Sequence, residues 1–290
     1  MNRVKILNKI ASPAVLLLAS MPLLKIQAQT IADWTFQSEA VEVDNNPSAD
    51  IGNGTASSIG MNIYPTPNVG VTTDDILAGK NSDTGNNGVA DLTQEWRVRG
   101  QAGSNGAANG WSSAAPIGTQ GAVFAASTVG FSGPINISFD WYATTQGEAN
   151  MMLEYTTDGS TWTDVPLVLS GDDTGLLLLN NSSSANTVMG SYVSDVLNAT
   201  TNPDGGQDWF TDLTATITNP NAANDPDFAI EMVNASTGAD CVSTAGTALN
   251  NTSGNWRFDN VSITAAPEPS TLAFAGIFGL LAVWKLRRRG

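Results

Sequence analysis

The sequence predicts an all-β protein: a single antiparallel β-sandwich at residues 29–266, flanked by a targeting segment at each end. The central part is rich in Gly, Asn, Ser and Thr, and its apolar residues recur with a period of two rather than 3.6. Each end carries an apolar run beside basic residues, which is typical of a targeting segment. The fold is therefore expected in the part of the chain between them.

Residues 1–28 are predicted to be a signal peptide. Three basic residues precede an apolar run at 14–24, and Ala28 is a small residue suited to cleavage. The mature chain is therefore expected to begin near Gln29, outside the cytoplasm.

The predicted mature body is strongly acidic. The chain has 12 Lys and Arg against 27 Asp and Glu, and the two terminal segments hold eight of these basic residues but one acid. Four basic and 26 acidic residues remain, a formal net charge of −22. Such a surface repels phosphate backbones, so we expect no nucleic-acid partner. The four basic residues are Lys80, Arg97, Arg99 and Arg257.

Residues that usually carry catalysis are scarce. The chain has no His, which removes the usual zinc ligand and the usual general base. Cys241 is the single cysteine, so its thiol is either buried or pairs between molecules. Acidic neighbours such as Asp225 and Asp227 are expected by chance among so many acids. We therefore expect a protein that is not an enzyme, and keep a hydrolase with an unrecognised site as a third hypothesis.

Strand patterns are sparse before residue 121. The candidates there are 31–36, 59–64 and 95–99, separated by loops rich in Gly and Asn.

Strand patterns are clear after residue 121. They lie at 135–142, 151–157, 162–169, 213–217, 228–232 and 256–263. The run 176–179 fits either a buried strand or a short helix. Asp158-Gly159 predicts a hairpin turn, and a change of parity predicts a bulge near Asp259-Asn260. Trp141 and Phe258 are predicted to face the core.

The last 24 residues, 267–290, combine three parts in a fixed order. A motif held extended by its prolines comes first, then an apolar run that is 14 residues long at 271–284, then a basic cluster. As a helix the apolar run spans about 21 Å, shorter than the hydrocarbon core of about 30 Å. The motif consists of Pro267, Glu268, Pro269, Ser270 and Thr271. The basic cluster, which would remain cytoplasmic, consists of Lys285, Arg287, Arg288 and Arg289.

This arrangement resembles the PEP-CTERM sorting tail of exported bacterial proteins. The resemblance implies that an exosortase-type enzyme recognises the motif after transient anchoring of the C-terminal helix in the inner membrane. The body is then released or transferred to the cell envelope, cell surface or extracellular matrix. An ordinary C-terminal membrane anchor is the alternative. The resemblance covers about the last tenth of the chain.

Two stretches of the body also resemble secreted bacterial β-sandwiches. Residues 153–162 are similar to their central hairpin, and 255–263 to their closing strand. The resemblance implies a jelly-roll-like sandwich. Our first hypothesis is a non-enzymatic surface or matrix protein. The alternative is a carbohydrate-binding module that contacts exopolysaccharide.

Sugar binding requires exposed aromatic side chains on which sugar rings stack. Four tryptophans lie in or beside polar segments and are candidates for this role. The alternative for each is that its ring covers one end of the sandwich. They are Trp96, Trp111, Trp162 and Trp209.

No cofactor is implied with certainty, and a structural calcium ion is the one candidate. Carboxylate oxygens suit calcium, and no His is needed. The resemblance to jelly rolls implies ligands at Glu39, Asp44 and Asp259. Asp259 alternatively pairs with Arg257 or caps the predicted bulge.

Overall fold

The computed structural model describes residues 28–40, 42, 44–60, 74–78, 94–99, 111–144, 146–168, 193–194, 197–198, 209–243, 247, 249–252 and 254–266. All of them belong to one compact unit, Ala28–Glu268. The predicted signal peptide up to residue 27, the run 176–179 and the tail 267–290 lie outside these residues. Within the described ranges no helix is long and apolar enough to span a membrane.

Two antiparallel sheets and a short ribbon contain the strands of the described residues. The larger sheet has nine strands: β1 Gln29–Trp34, β2 Ile51–Gly52, β4 Asp75–Ala78, β5 Gln94–Arg99, β8 Ile135–Ala143, β11 Leu167–Val168, β12 Val193–Ser194, β14 Phe210–Ile217 and β17 Asn255–Ala265. The smaller sheet has six: β3 Gly54–Ile59, β7 Gly121–Ala126, β9 Asn150–Thr156, β10 Thr163–Val165, β13 Leu197–Asn198 and β15 Ala229–Asn234. The ribbon joins β6 Trp111–Ser112 to β16 Asn250–Thr252. The described residues also form two short 3-10 helices, Pro220–Ala222 and Gly238–Asp240.

The strand order differs from the chain order in both sheets. The larger sheet runs β12-β11-β14-β8-β17-β1-β2, with β5 also paired to β17 and β4 paired to β5. The smaller sheet runs β10-β9-β15-β7-β3, with β13 beside β9. The prediction of an all-β, antiparallel fold is confirmed.

One aromatic core lies between the two sheets. The ring of Phe124 on β7 contacts Trp34, Trp96 and Phe258 of the larger sheet at centroid distances of 5.2, 5.7 and 5.6 Å. Trp141 and Phe258 are fully buried, as their alternation predicts. Because side chains from both sheets share this core, the sheets pack face to face as a sandwich.

The strand β17 lies in the interior of the larger sheet and contains the predicted bulge. Its register with β8 slips between Asp259 and Ser262, and Asn260 has a φ of 49°. The slip changes the parity, so that Phe258 before it and Val261 after it both face the core. The bulge prediction is confirmed.

One strand prediction needs correction. The predicted strand 162–169 is two strands in different sheets, since β10 pairs with β9 while β11 pairs with β14. Pro166 lies between them and has no N–H to continue a ladder. Of the predicted strand 59–64, Ile59 is the last residue of β3, and residues 61–64 lie outside the described residues.

Candidate ligand-binding groove

A row of small side chains crosses the outer face of the smaller sheet. Thr156, Ala229, Ala125 and Thr55 are cross-strand neighbours on β9, β15, β7 and β3. Phe124, next to Ala125, belongs to the core. Since side chains alternate along a strand, this row faces away from the core.

A groove of about 440 Å³ lies above this row. Neighbouring strands are about 4.8 Å apart, so the four strands span about 14 Å. The floor stays low because its side chains are small. At Gly54 a Cβ atom would lie 2.5 Å from Cζ2 of Trp34, so the ring beneath leaves no room for a larger residue.

The loop between β9 and β10 brings Trp162 to one edge of the groove. Trp162 is half-exposed. Asp158 holds the loop in shape, since its Oδ1 accepts hydrogen bonds from the backbone N–H groups of Ser160 at 2.8 Å and Thr161 at 2.6 Å. These bonds hold the pKa of Asp158 well below its usual range. Gly159 adopts a φ of 69°, as a tight turn requires. The predicted hairpin is confirmed, with a loop longer than two residues.

A row of carboxylates lies beside the groove. Glu154 and Glu231 face each other across β9 and β15, and Asp164 on β10 is the next neighbour of Glu154. Glu154 and Glu231 are only 8% and 3% exposed. Burial raises the pKa of both groups, and each is raised further by a neighbouring carboxylate, Asp164 for Glu154 and Glu154 for Glu231. The two carboxyl groups hydrogen-bond to each other, so the pair retains a proton near neutral pH.

A row of apolar side chains flanks the carboxylate row on the side away from the groove. Met152 and Val233 on β9 and β15 pack against Ile59 and Ile117. Ile117 belongs to the segment before β7, and Gly118 in the same segment lies over Glu154 and Met152. The segment therefore covers Glu154 from one side, which contributes to the burial of this glutamate.

The structure changes the interpretation of two of the four candidate tryptophans. Trp96 and Trp111 are fully buried, so their prediction as exposed platforms is wrong. Trp96 alternates with Glu95 and Arg97 and so faces the core, where its Nε1 donates to the carbonyl oxygen of Asp44 at 3.0 Å. Trp111 packs on Trp256 at a centroid distance of 4.3 Å.

The other two candidates keep part of their surface exposed. Trp162 lines the groove. Trp209 directly precedes β14 of the larger sheet, and its ring packs against Tyr142 at a centroid distance of 5.6 Å. The structure therefore assigns only Trp162 to the groove.

The predicted calcium ligands make hydrogen bonds within their own segments. The carboxylates of Glu39 and Asp44 accept from the backbone N–H groups of Ser48 and Asn46. Asp259 is fully buried and accepts from the backbone N–H of Asn260, so it caps the bulge. Within the described part of the chain, no group of three or more Cys, Asp or Glu side chains is arranged to hold a metal ion. The calcium site stays a prediction.

A second polar cluster, which the sequence did not reveal, is buried near the ribbon. Glu148 accepts from the thiol of Cys241 and the hydroxyl of Ser236, both at 2.7 Å, and from the backbone N–H of Asn150 at 3.0 Å. Burial raises the pKa of Glu148 to about 7, although these hydrogen bonds oppose the shift. Burial and the neighbouring carboxylate also raise the pKa of the Cys241 thiol. Of the two alternatives for this cysteine, the structure supports the buried thiol.

The comparison with protein families identifies the C-terminal segment. Residues 265–289 match the PEP-CTERM protein-sorting motif. The chain therefore carries the motif of an exported protein that is sorted by an exosortase system at the cell envelope. The comparison with curated proteins and that with solved structures gave no significant match.

Proposed function

We propose that the protein is a non-enzymatic component of the cell surface or extracellular matrix that binds carbohydrate in the groove of its smaller sheet. The observation that carries this proposal is the half-exposed Trp162 at the edge of an open groove with a low floor. Aromatic rings with one free face provide stacking area for the apolar face of a sugar ring. The partner would be exopolysaccharide in the matrix.

The rest of the groove suits an extended chain of sugars. Small side chains on the floor allow a flat ring to approach the sheet. Asn53 and Thr55 line the end opposite Trp162 and provide amide and hydroxyl groups for hydrogen bonds. A polymer lying across the strands would contact both ends at once.

The carboxylate row supports binding over hydrolysis. Glycoside hydrolysis uses two carboxyl groups about 5–9.5 Å apart on either side of the scissile bond. Glu154 and Glu231 hydrogen-bond to each other and are almost fully buried, so no sugar fits between them. A hydrolase would therefore need other groups.

The test replaces Trp162 and uses Trp209 as a matched control. Both tryptophans are half-exposed, but Trp162 lies in the loop between β9 and β10 of the smaller sheet, whereas Trp209 directly precedes β14 of the larger sheet. The full chain is kept in solution with a nonionic detergent and titrated with exopolysaccharide of the host in affinity electrophoresis. We expect Trp162→Ala to weaken binding at least about tenfold, equivalent to about 1.4 kcal/mol. Trp209→Ala should leave binding unchanged. Equal binding by both variants, or no binding by the native chain, contradicts the proposal.

The delivery part of the proposal is tested at the motif. Replacing Pro267, Glu268 and Pro269 by alanine should leave full-length, membrane-bound protein in the native host, because the extended recognition segment is lost. Immunoblotting of membrane and extracellular fractions measures this. The Trp209→Ala chain, whose motif is intact, should be processed normally. Normal processing of the alanine variant would contradict recognition of the motif by an exosortase.

A further inference from the structure

Three acidic side chains lie in the groove or close to the residues that line it. Asp227 lines it and is exposed, Asp158 lies in the loop that carries Trp162, and Asp164 is exposed on the edge strand. Behind them lies the pair of Glu154 and Glu231, which adds negative charge only as the pH rises through their raised pKa values. The field at the groove is therefore negative.

Basic residues are absent from the described part of the smaller sheet. Of the four basic residues in the body, Arg97 and Arg99 are on β5 and Arg257 is on β17, both in the larger sheet. The fourth, Lys80, lies outside the described residues. The acids beside the groove thus have no arginine on their own sheet to offset them.

We propose that the groove selects amino-sugar polymers, with a ring face on Trp162 and a protonated amine at the carboxylate of Asp227, and that it rejects polyuronates. This inference rests on the proposed function, since it names the class of sugar for the same groove. An amine on every ring gives a polymer that presents a positive charge to Asp227 whichever of its rings lies on Trp162. A polyuronate presents carboxylates to carboxylates and is repelled.

Three hexasaccharides distinguish the sugar classes: glucosamine hexamer, its N-acetylated and therefore neutral analogue, and galacturonate hexamer. The full chain in nonionic detergent is titrated calorimetrically with each at pH 6 and low salt. We expect the glucosamine hexamer to bind about tenfold more tightly than the neutral analogue, and the galacturonate hexamer not to bind. Raising the salt to 0.5 M should remove most of this preference, because it screens exposed charges.

A pair of matched variants assigns the preference to the groove. Asp227→Asn should reduce the preference for the amine about threefold. Asp212→Asn removes the same formal charge from β14 in the other sheet, at a φ of 53° that Asn tolerates, and should leave the preference unchanged. Equal loss in both variants would mean that the overall charge of the body attracts the amine, which overturns the proposal.

The remaining outcomes separate this inference from the proposed function. Binding of the neutral or galacturonate hexamer as tightly as the amine overturns the inference and leaves carbohydrate binding intact. Failure of all three hexamers to bind overturns the inference, whereas the proposed function is overturned only if the native chain also fails to bind the exopolysaccharide of the host. Hexalysine that binds as tightly as the glucosamine hexamer, and equally well to Trp162→Ala, also overturns the inference, because the site would then respond to charge alone.

Discussion

The two outer faces of the sandwich bury carboxylates in opposite ways. On the larger sheet Glu95 is fully buried, and Nη1 of Arg257 lies 2.5 Å from its Oε1. The guanidinium also lies 5.2 Å from the ring centroid of Tyr142, and its Nε donates to Asn255. On the smaller sheet Glu154 and Glu231 have each other, and a shared proton takes the place of an arginine.

The difference shows two ways in which a body with four basic residues neutralises buried carboxylates. A guanidinium stays charged at every physiological pH, so Arg257 offers Glu95 a positive charge throughout that range. A shared proton is lost as the pH rises, so the glutamate pair is sensitive to pH in that range. The buried carboxylate on the larger sheet therefore has a fixed positive partner, whereas the stability of the glutamate pair on the smaller sheet depends on pH.

The largest effect is expected from breaking the ion pair. Arg257→Met keeps much of the side-chain volume but removes the charge that neutralises a buried carboxylate. Removing one partner of a buried pair typically costs about 3–5 kcal/mol. Denaturant unfolding of the full chain measures the loss of unfolding free energy.

A double variant provides the control for this prediction. Glu95→Gln combined with Arg257→Met leaves no buried charge at the pair and should recover most of the loss. A single variant that loses less than about 1 kcal/mol, or a double variant as unstable as the single one, would contradict the ion-pair account.

A smaller effect is expected from pH. The folded-state pKa values of Glu154 and Glu231 are raised, so between about pH 4.5 and the raised values the folded chain binds more protons than the unfolded one. The unfolding free energy should therefore fall as the pH rises from 5 to 8. Glu148, with its pKa raised to about 7, acts in the same direction. Chemical unfolding curves at several pH values measure the slope, and a rise or a flat profile would contradict it.

The smallest effect on the unfolding free energy is expected from replacing one glutamate of the pair by glutamine. Glu231→Gln mimics the protonated acid, so it should stabilise the chain by about 1 kcal/mol at pH 8 and have little effect at pH 5. Part of the slope should remain because Glu148 is unchanged. Asp212→Asn, which alters an exposed acid on the larger sheet, should leave the slope as it is. A slope unaltered by Glu231→Gln would mean that the pair does not share a proton.

The strands with strict alternation could be predicted from the sequence, and so could the bulge. The parity change between Phe258 and Val261 requires an extra residue if both are to face the core. The same reasoning would have placed Trp96 inside, since charged residues flank it on both sides. Trp111 follows a glycine-rich segment, and no local period indicates its contact with Trp256.

The carboxylate row could not be predicted, for a physical reason. Glu154 and Glu231 each lie singly in apolar strands that are 77 residues apart, and their contact depends on the register of β9 and β15. A shift of one residue would bring each glutamate opposite an apolar side chain instead. The groove depends on the same register, because four strands contribute to its floor. Of the residues that line the groove, only Trp162 could be identified from the sequence, as an aromatic residue that follows a predicted turn.

The position of β17 has a mechanical consequence. Its last residue, Ala265, pairs with Gln29 at the start of β1, so both ends of the body lie at the same end of the larger sheet. A pull applied at residue 266 acts along a strand that is hydrogen-bonded to β8, β1 and β5. Those bonds run across the direction of the pull and are loaded together in shear, whereas an edge strand peeled from one end breaks its bonds one at a time. A body that is pulled through residue 266 should therefore stay folded under tension.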